Sequence, residues 1–177
     1  MVKYFDAGCA MAGDFQFSPE KRDFRKNTII ETAYRNCAGL VNALGDIHLV
    51  RTPFFEPSFV FVIINLNELL QKASGEKRRV SFTDFVDTAD GVDDVTTLIN
   101  HIRNAVCHIG SPQNNLGEAY FRFNSAAGKR KFGRVDDVLI ECEFEDDVAF
   151  FYGKKRVYLR RHIVRALKEV GDIYGLT

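Results

Sequence analysis

The sequence predicts a mainly α-helical chain of four helices, with a small antiparallel β-hairpin insertion at about residues 118–153, before the last helix. Four segments carry apolar residues at helical spacing. Between the third and fourth, apolar and polar residues alternate instead, as they do in strands. The chain has 177 residues, 46% of them hydrophobic and 27% charged. It is therefore long enough to bury a core, and it fits one domain spanning residues 1–177.

The first predicted helix follows an irregular arm at residues 1–27. It begins with Thr28 and Glu31 in the spacing of a capping box, in which the two side chains accept hydrogen bonds from free backbone N–H groups. Gly45 ends this helix. Its apolar face consists of Ile29, Ile30, Ala33, Tyr34, Cys37, Leu40, Val41 and Leu44.

The second helix is predicted over residues 59–73, with Ser58 as its cap and Gly75 after its end. Its first half is apolar on every side, which predicts burial in the middle of the fold. A buried strand at residues 59–64 is the alternative, but the leucine spacing further on and the Glu68–Lys72 pair favour a helix.

The third helix lies in residues 92–112, which read VDDVTTLINHIRNAVCHIGSP. Its apolar stripe consists of Val92, Val95, Leu98, Ile99, Ile102, Val106 and Ile109. Gly110 and Pro112 follow at the places where a helix usually stops. The opposite face carries Thr96, Thr97, Asn100, His101, Arg103, Asn104, Cys107 and His108. Because this face is polar but nearly free of full charges, it is suited to lie against a second protein surface or over a substrate.

The remainder of the chain predicts strands and one helix. Residues 120–123 alternate like a strand, and residues 126–133 (AAGKRKFG) are predicted to form a basic loop. Residues 138–144 are predicted to pair with residues 148–152 as a β-hairpin around Asp146 and Asp147. Gly153, Lys154 and Lys155 then turn the chain into the last helix, whose stripe consists of Leu159, Ile163, Leu167, Val170, Ile173 and Tyr174 before Gly175.

Composition excludes several classes of protein. The formal net charge is zero, so a nucleic-acid partner needs a local basic patch. Cys9, Cys37, Cys107 and Cys142 are far apart, which predicts reduced thiols rather than disulfides or a zinc site. We expect no signal peptide, because the first residues lack a positively charged region followed by an apolar stretch, and the longest apolar run, residues 59–64, is too short to cross a bilayer. We therefore expect a soluble cytoplasmic protein with no membrane partner, no cofactor and no metal.

The third helix also resembles a known family. The residues Arg103-Asn-Ala-Val-Cys-His108 resemble the R-x(4–6)-H motif of the HEPN superfamily, in which a polar residue, often Asn, follows the Arg. The run DVTTLINHIRNAVCHI, residues 94–109, is most similar to a subfamily of plasmid-borne and bacterial defence-type proteins. Arg156 and His162 also satisfy a loose form of the motif, but they lie in a basic helix start and are interpreted as coincidence.

The resemblance implies a four-helix up-and-down bundle with the motif on the third helix. It also implies a homodimer that joins two motifs in a cleft, metal-independent cleavage of RNA by the ribose 2′-OH, and possible control by an antitoxin protein. Arg103 and His108 are then catalytic and Asn104 supports them. Some HEPN toxins carry a Tyr two residues after the His; Gly110 stands there in this chain, which argues against control by modification of that Tyr.

The chemistry of the motif residues fits these roles. An imidazole exchanges protons near neutral pH, so His108 could act as base or acid. A guanidinium binds two phosphate oxygens at once and stabilises their growing charge. Five residues of helix separate Arg103 from His108 by about 7.5 Å and about 140°. The two side chains can therefore contact one phosphate only if the last turn unwinds or a second copy supplies one of them.

Alternatives remain beside this hypothesis. The chain could be a non-catalytic HEPN-type module that binds nucleotide, RNA or protein, or a plain helical interaction domain whose Arg and His are surface residues. Cys107 is interpreted as a packing residue, His101 as a surface residue, and His48 and His162 as structural. The basic segments at residues 122–134 and 154–168 carry five and seven Lys or Arg; they could contact RNA or form salt-bridged surfaces.

Overall fold

The computed structural model describes residues 19–45, 52–108, 110–116, 119–120, 122–135 and 138–177. Four α-helices and seven β-strands lie in this part of the chain. The helices are α1 (Pro19–Leu44), α2 (Phe55–Gly75), α3 (Val95–Cys107) and α4 (Arg165–Tyr174). The strands are β1 (Asn115–Leu116), β2 (Ala119–Tyr120), β3 (Asn124–Ala127), β4 (Arg130–Val135), β5 (Val138–Cys142), β6 (Val148–Tyr152) and β7 (Lys155–Tyr158). A 3₁₀-helix at Pro112–Asn114 follows α3, and a π-helical segment at Leu159–Val164 leads into α4.

Helix α2 lies at the centre of the fold and packs against α1, α3 and α4. Its buried residues are Phe55, Phe59, Val62, Ile63, Leu66, Asn67, Leu69, Leu70 and Ala73, which confirms the prediction of a helix over that of a strand. Burial on every side of its first half was wrong for Phe61, which is 43% exposed. The helix starts at Phe55 and not at residue 59. Pro57 stands in its first turn, where a backbone N–H has no helical partner in any case, and Ser58 is inside the helix and not its cap.

Helix α1 begins at Pro19, well before the predicted start at Thr28, so residues 19–27 are helical and not part of an irregular arm. Proline is favoured at the first position of a helix because its φ angle already fits. The helix ends at Leu44, and Gly45 follows as predicted. Ile30, Cys37, Val41 and Leu44 are buried in the core, whereas the prediction for Ile29 was wrong, since 66% of this residue is exposed.

The main sheet has three antiparallel strands in the order β3–β6–β7. Tyr152 of β6 pairs with Lys155 of β7, so the tight turn lies at residues 153–154. Strand β5 pairs with β4 and not with β6. The predicted hairpin between residues 138–144 and 148–152 is therefore wrong. The predicted basic loop at residues 126–133 is also wrong, since most of it belongs to β3 and β4.

Every residue of β6 is buried, because both faces of the sheet are covered. On one face Phe150 and Tyr152 join the helical core, where the Phe150 and Phe59 rings stack with centroids 4.3 Å apart. On the other face Ala149 and Phe151 pack with Ile140 and other residues of a second, smaller core. Each fully buried ring contributes about 1.5–3 kcal/mol of hydrophobic stabilisation.

The predicted four-helix bundle is consequently wrong. The strands are not an insertion on the outside of a helical domain, because β6 and β7 supply Phe150, Tyr152 and Val157 to the same core as the helices. The architecture is mixed: a helical layer packs on a three-stranded sheet, and the β4–β5 hairpin covers the other side of that sheet.

Asp147 fixes the start of the last helix on the sheet. It is buried, and its carboxylate accepts hydrogen bonds from the backbone N–H groups of Arg160 and Arg161 at 2.8 and 3.2 Å. The Arg161 guanidinium donates to the same carboxylate at 2.9 Å. Asp147 is thus a structural anchor at the beginning of the Leu159–Val164 segment, and Gly175 stands after the end of α4 with φ +67°, as the sequence predicted.

Several predicted features lie outside the described residues, namely residues 1–18 of the arm, Cys9, His48, Ile109 and Phe121. Within the described ranges, no helix combines the length and the apolar character that crossing a bilayer requires.

A substitution at Gly153 tests the packing of the β6–β7 turn. Gly153 has φ +52°, and a Cβ atom there would collide with the carbonyl oxygen of Gln113 and lie 3.0 Å from that of Asn115. We expect Gly153→Ala to lower the free energy of unfolding by about 2 kcal/mol, because both the φ angle and the close approach oppose it. Urea unfolding followed by circular dichroism measures this change.

Gly39 provides the matched control. It lies in α1, and a Cβ atom there would meet nothing within 4 Å. Gly39→Ala should raise the free energy of unfolding by about 0.5–1 kcal/mol, since alanine favours the helix interior. Equal effects of the two substitutions would contradict the described position of the turn.

Candidate functional site

The motif helix α3 is fixed at its beginning by a network around Asp94. The Asp94 carboxylate accepts hydrogen bonds from the Thr97 backbone at 2.8 Å and from the Arg79 guanidinium at 2.7 and 2.8 Å. Burial alone would raise the pKa of Asp94, but the hydrogen bonds from Arg79 and Thr97 outweigh it and hold the pKa below its usual value. The direction of the helix is therefore set by an ion pair between buried Asp94 and exposed Arg79.

The apolar stripe of α3 lies in the core as predicted; Val92, Val95, Leu98, Ile99, Ile102 and Val106 are all buried. Thr96 was predicted on the polar face but is fully buried, where its hydroxyl donates to the carbonyl of Val80. The helix also ends earlier than expected, at Cys107 and not near Gly110. This early end changes the geometry of the motif.

His108 leaves the helix in an extended conformation, with φ −122° and ψ 106°. Its backbone is nevertheless held at both ends. The His108 N–H donates to the Asn104 carbonyl at 3.2 Å, and the His108 carbonyl accepts from the Ser111 N–H at 2.9 Å and from the Asn114 side chain at 3.4 Å. The residue itself is exposed. An imidazole on a fixed backbone thus faces solvent directly after the last helical turn.

Arg103 is half-buried, and its guanidinium donates to the Asn104 side-chain oxygen at 3.2 Å. Within the described residues no carboxylate pairs with Arg103, and its buried Nε has no hydrogen-bond partner. Asn104 therefore orients the arginine. Neither Arg103 nor Asn104 makes a hydrogen bond to the His108 side chain in the described part of the chain. Among the described residues, the guanidinium is therefore held by an amide and not by an acid.

A cavity of about 420 Å³ borders the polar face of α3. Its lining consists of Asp90, His101, Pro112, Gln113, Asn115, Lys154 and Lys155. His101 was predicted as a surface residue but is half-buried here; burial, followed by the charge of Lys155, holds its pKa below the usual value. Lys155 is also buried, and its Nζ donates to the Ala89 carbonyl at 2.9 Å.

Sequence reasoning missed this cavity because its parts come from distant segments. The loop before α3 supplies Asp90, the 3₁₀ region supplies Gln113, and the β6–β7 turn supplies Lys154 and Lys155. The one local sign of the cavity in the sequence was Gly153. It was interpreted as part of a turn into a helix, but it lies in a hairpin turn that packs closely against residues 113–115.

The other candidate side chains are the cysteines and His162, and they differ in burial. Cys107 was predicted to be buried but is exposed, beside His108. Cys37 is buried, and burial raises its pKa to about 12. His162 has the predicted structural role: it is fully buried, its Nδ1 accepts from the Tyr158 N–H at 3.1 Å, and its Nε2 lies 3.3 Å from the Asp84 carbonyl. The motif-like pair Arg156 and His162 is therefore not a second site.

Burial lowers the pKa of His162 to about 4, from an ordinary value of 6.5. The unfolded chain consequently binds this proton before the folded chain does as the pH falls. We expect the free energy of unfolding to decrease between pH 6.5 and 4 by up to about 3 kcal/mol from this residue. The measurement is urea unfolding at several pH values.

His162→Asn is the matched variant, because an Asn side-chain oxygen can accept the Tyr158 N–H as Nδ1 does. The variant should be less stable at pH 7.5 but should lose less stability on acidification. If both proteins lose the same free energy between pH 6.5 and 4, His162 is not the titrating group.

No protein-family model matches the chain, and no curated protein or solved structure matches it either. The relation to HEPN proteins therefore rests on Arg103, Asn104, His108 and the run at residues 94–109, and it stays a hypothesis.

Proposed function

We propose that the protein is a metal-independent endoribonuclease of the toxin or defence type, with Arg103 and His108 as catalytic residues and Asn104 as a positioning residue. The observation that carries the proposal is the end of α3 at Cys107. In a continuous helix the two side chains would point about 140° apart. The unwinding required by their spacing occurs between them, and His108 is exposed where it can turn toward a bound phosphate.

The charges around the motif support a phosphate ligand. Arg103 has no carboxylate partner in the described part of the chain, and Asn104 holds its guanidinium in place. A preorganised guanidinium stabilises the charge that develops on phosphate oxygens during cleavage. An arginine with a merely structural role at the surface would more commonly pair with an acid.

The reaction needs one base and one acid. His108 takes the proton of a ribose 2′-OH, the 2′ oxygen bonds to the adjacent phosphorus, and the bond from phosphorus to the 5′ oxygen breaks. The products are a 2′,3′-cyclic phosphate and a free 5′-OH, whose proton comes from a protonated imidazole. In a homodimer formed through the polar face of α3, the second copy of His108 supplies that acid. Control by an antitoxin protein belongs to the same proposal.

A non-catalytic binding module is the alternative function. The cavity beside α3 favours it, since about 420 Å³ is within the range of small-ligand sites and its wall combines His101 and two lysines with side-chain amides. In that case the chain binds a nucleotide, RNA or a protein without cutting RNA.

RNA cleavage in EDTA separates the two functions. We expect the wild-type protein to cut single-stranded RNA and leave 2′,3′-cyclic phosphate ends. His108→Ala should lower the rate about 10²–10⁴-fold, the range of general acid–base catalysis. Arg103→Ala should lower it about 10²–10³-fold, through lost charge stabilisation. Product ends are identified by mass spectrometry.

Arg35→Ala is the control, because Arg35 is an exposed arginine of α1 paired only with Glu31 among the described residues. It should cut RNA at the wild-type rate. Equal cleavage by wild type and His108→Ala would contradict the proposal. RNA that is bound but never cut, by wild type and variants alike, would favour the binding module.

A further inference from the structure

A basic ribbon protrudes on the far side of the main sheet; it consists of residues 129–134, that is, Lys129 and most of β4. Strand β4 pairs only with β5 among the described strands, so its outer edge is open. Residues 129–134 are all exposed, and they include four Lys or Arg and the aromatic ring of Phe132. This composition is unlike that of β6, whose residues are all buried.

Phe132 is placed outward by an irregularity of the strand. Lys131 pairs with Glu141 and Gly133 pairs with Ile140, so Phe132 is an extra residue without a partner on β5. Gly133 has φ +146°, a value that glycine adopts easily. Such a β-bulge redirects a side chain. Phe132 remains 60% exposed, although a small apolar core lies on the same hairpin.

The charges of the ribbon form few ion pairs within the described part of the chain. Lys129, Arg130 and Arg134 have no carboxylate partner within the described residues, and Lys131 lies 3.4 Å from Glu141 with 76% of its side chain exposed. The second basic segment differs, since Lys155, Arg156, Arg161 and Arg165 all form ion pairs. Residues 154–168 thus form largely a salt-bridged surface, whereas Lys131 is the one ribbon cation with an ion pair among the described residues.

The surface between the hairpin and the motif helix carries both acidic residues and lysines. A second cavity, of about 380 Å³, is bordered by Val138 and Leu139 at the end of the hairpin. It shares Asp90, Lys154 and Lys155 with the cavity beside α3. Asp87, Glu141 and Glu143 also border this cavity, and residues 129–134 do not, so the ribbon is a surface distinct from the motif helix.

We propose that the ribbon is a docking surface for single-stranded RNA: Phe132 stacks on one base, and Lys129, Arg130, Lys131 and Arg134 contact the phosphates on either side. Base stacking on an exposed aromatic ring, flanked by cations, is the usual chemistry of single-strand binding. Charged residues also protect open strand edges from aggregation, but that role makes no use of an exposed Phe. The link to cleavage rests on the proposed function, whereas binding itself does not.

Fluorescence anisotropy with a short labelled single-stranded RNA tests the ribbon. All proteins carry His108→Ala, so that the RNA stays intact. We expect Phe132→Ala to weaken binding about tenfold, since one stacked base is worth about 1–3 kcal/mol. Replacing Lys129, Arg130 and Arg134 together by Gln should reduce the slope of log affinity against log salt by about 2, or about 0.7 for each contact.

Matched controls come from elsewhere on the surface. Phe54→Ala removes a ring that is 69% exposed at the start of α2, and Lys72, Lys77 and Lys168 replaced together by Gln remove three charges outside the ribbon. Both controls should bind as the parent protein does. All the variants should also keep the melting temperature of the parent within a few degrees, because each substitution is at the surface.

The outcomes separate the two proposals. Unchanged binding by Phe132→Ala, an equal loss in the control variants, or no RNA binding by the parent overturns the ribbon. Loss of binding in the ribbon variants alone supports it, even if wild type never cuts RNA, in which case only the nuclease proposal fails. If the wild type cuts RNA and the ribbon substitutions change neither the cleavage rate nor the RNA affinity, the nuclease proposal stands and the ribbon proposal fails.

Discussion

The rest of the structure depends on strand β6, which is buried on both faces. A strand in this position needs apolar cover on two sides, so helices pack on one face and the β4–β5 hairpin on the other. The tight β6–β7 turn then brings Lys154 and Lys155 beside α3, and buried Asp147 fixes the start of the last helix. The cavity at the motif helix is thus a product of the sheet as much as of the helix.

Features of the fold that depend on residues close together in the sequence were predicted, and features that depend on distant residues were not. The apolar stripes of α2, α3 and the last helix are local and were located correctly. Strand pairing is not local: both β5 and β7 are close enough in sequence to pair with β6, and the alternation of residues 138–144 does not distinguish them. The decisive signal was the run VAFFY at residues 148–152, which has no polar face and therefore indicates a strand covered on both sides.

The candidate site was predictable in a similar way. The place of Arg103 and Asn104 on the polar face of α3 follows from spacing along one helix, whereas His108 lies after the end of that helix. Arg103 has no carboxylate partner among the described residues, and Cys107 is exposed; both facts depend on which segments pack nearby, which no motif encodes. The end of α3 was expected near Gly110, but the Asn114 side chain donates to the Ala105 and His108 carbonyls and so satisfies the helix end three residues earlier.

This capping by Asn114 has a kinetic consequence. The backbone of His108 is held by hydrogen bonds at both its N–H and its carbonyl, while its ring projects into solvent. Exposed side chains change rotamer in picoseconds to nanoseconds, whereas loop rearrangements take up to microseconds. In the proposed nuclease, the ring could therefore turn toward a bound phosphate by a change of rotamer alone, without a rearrangement of the His108 backbone.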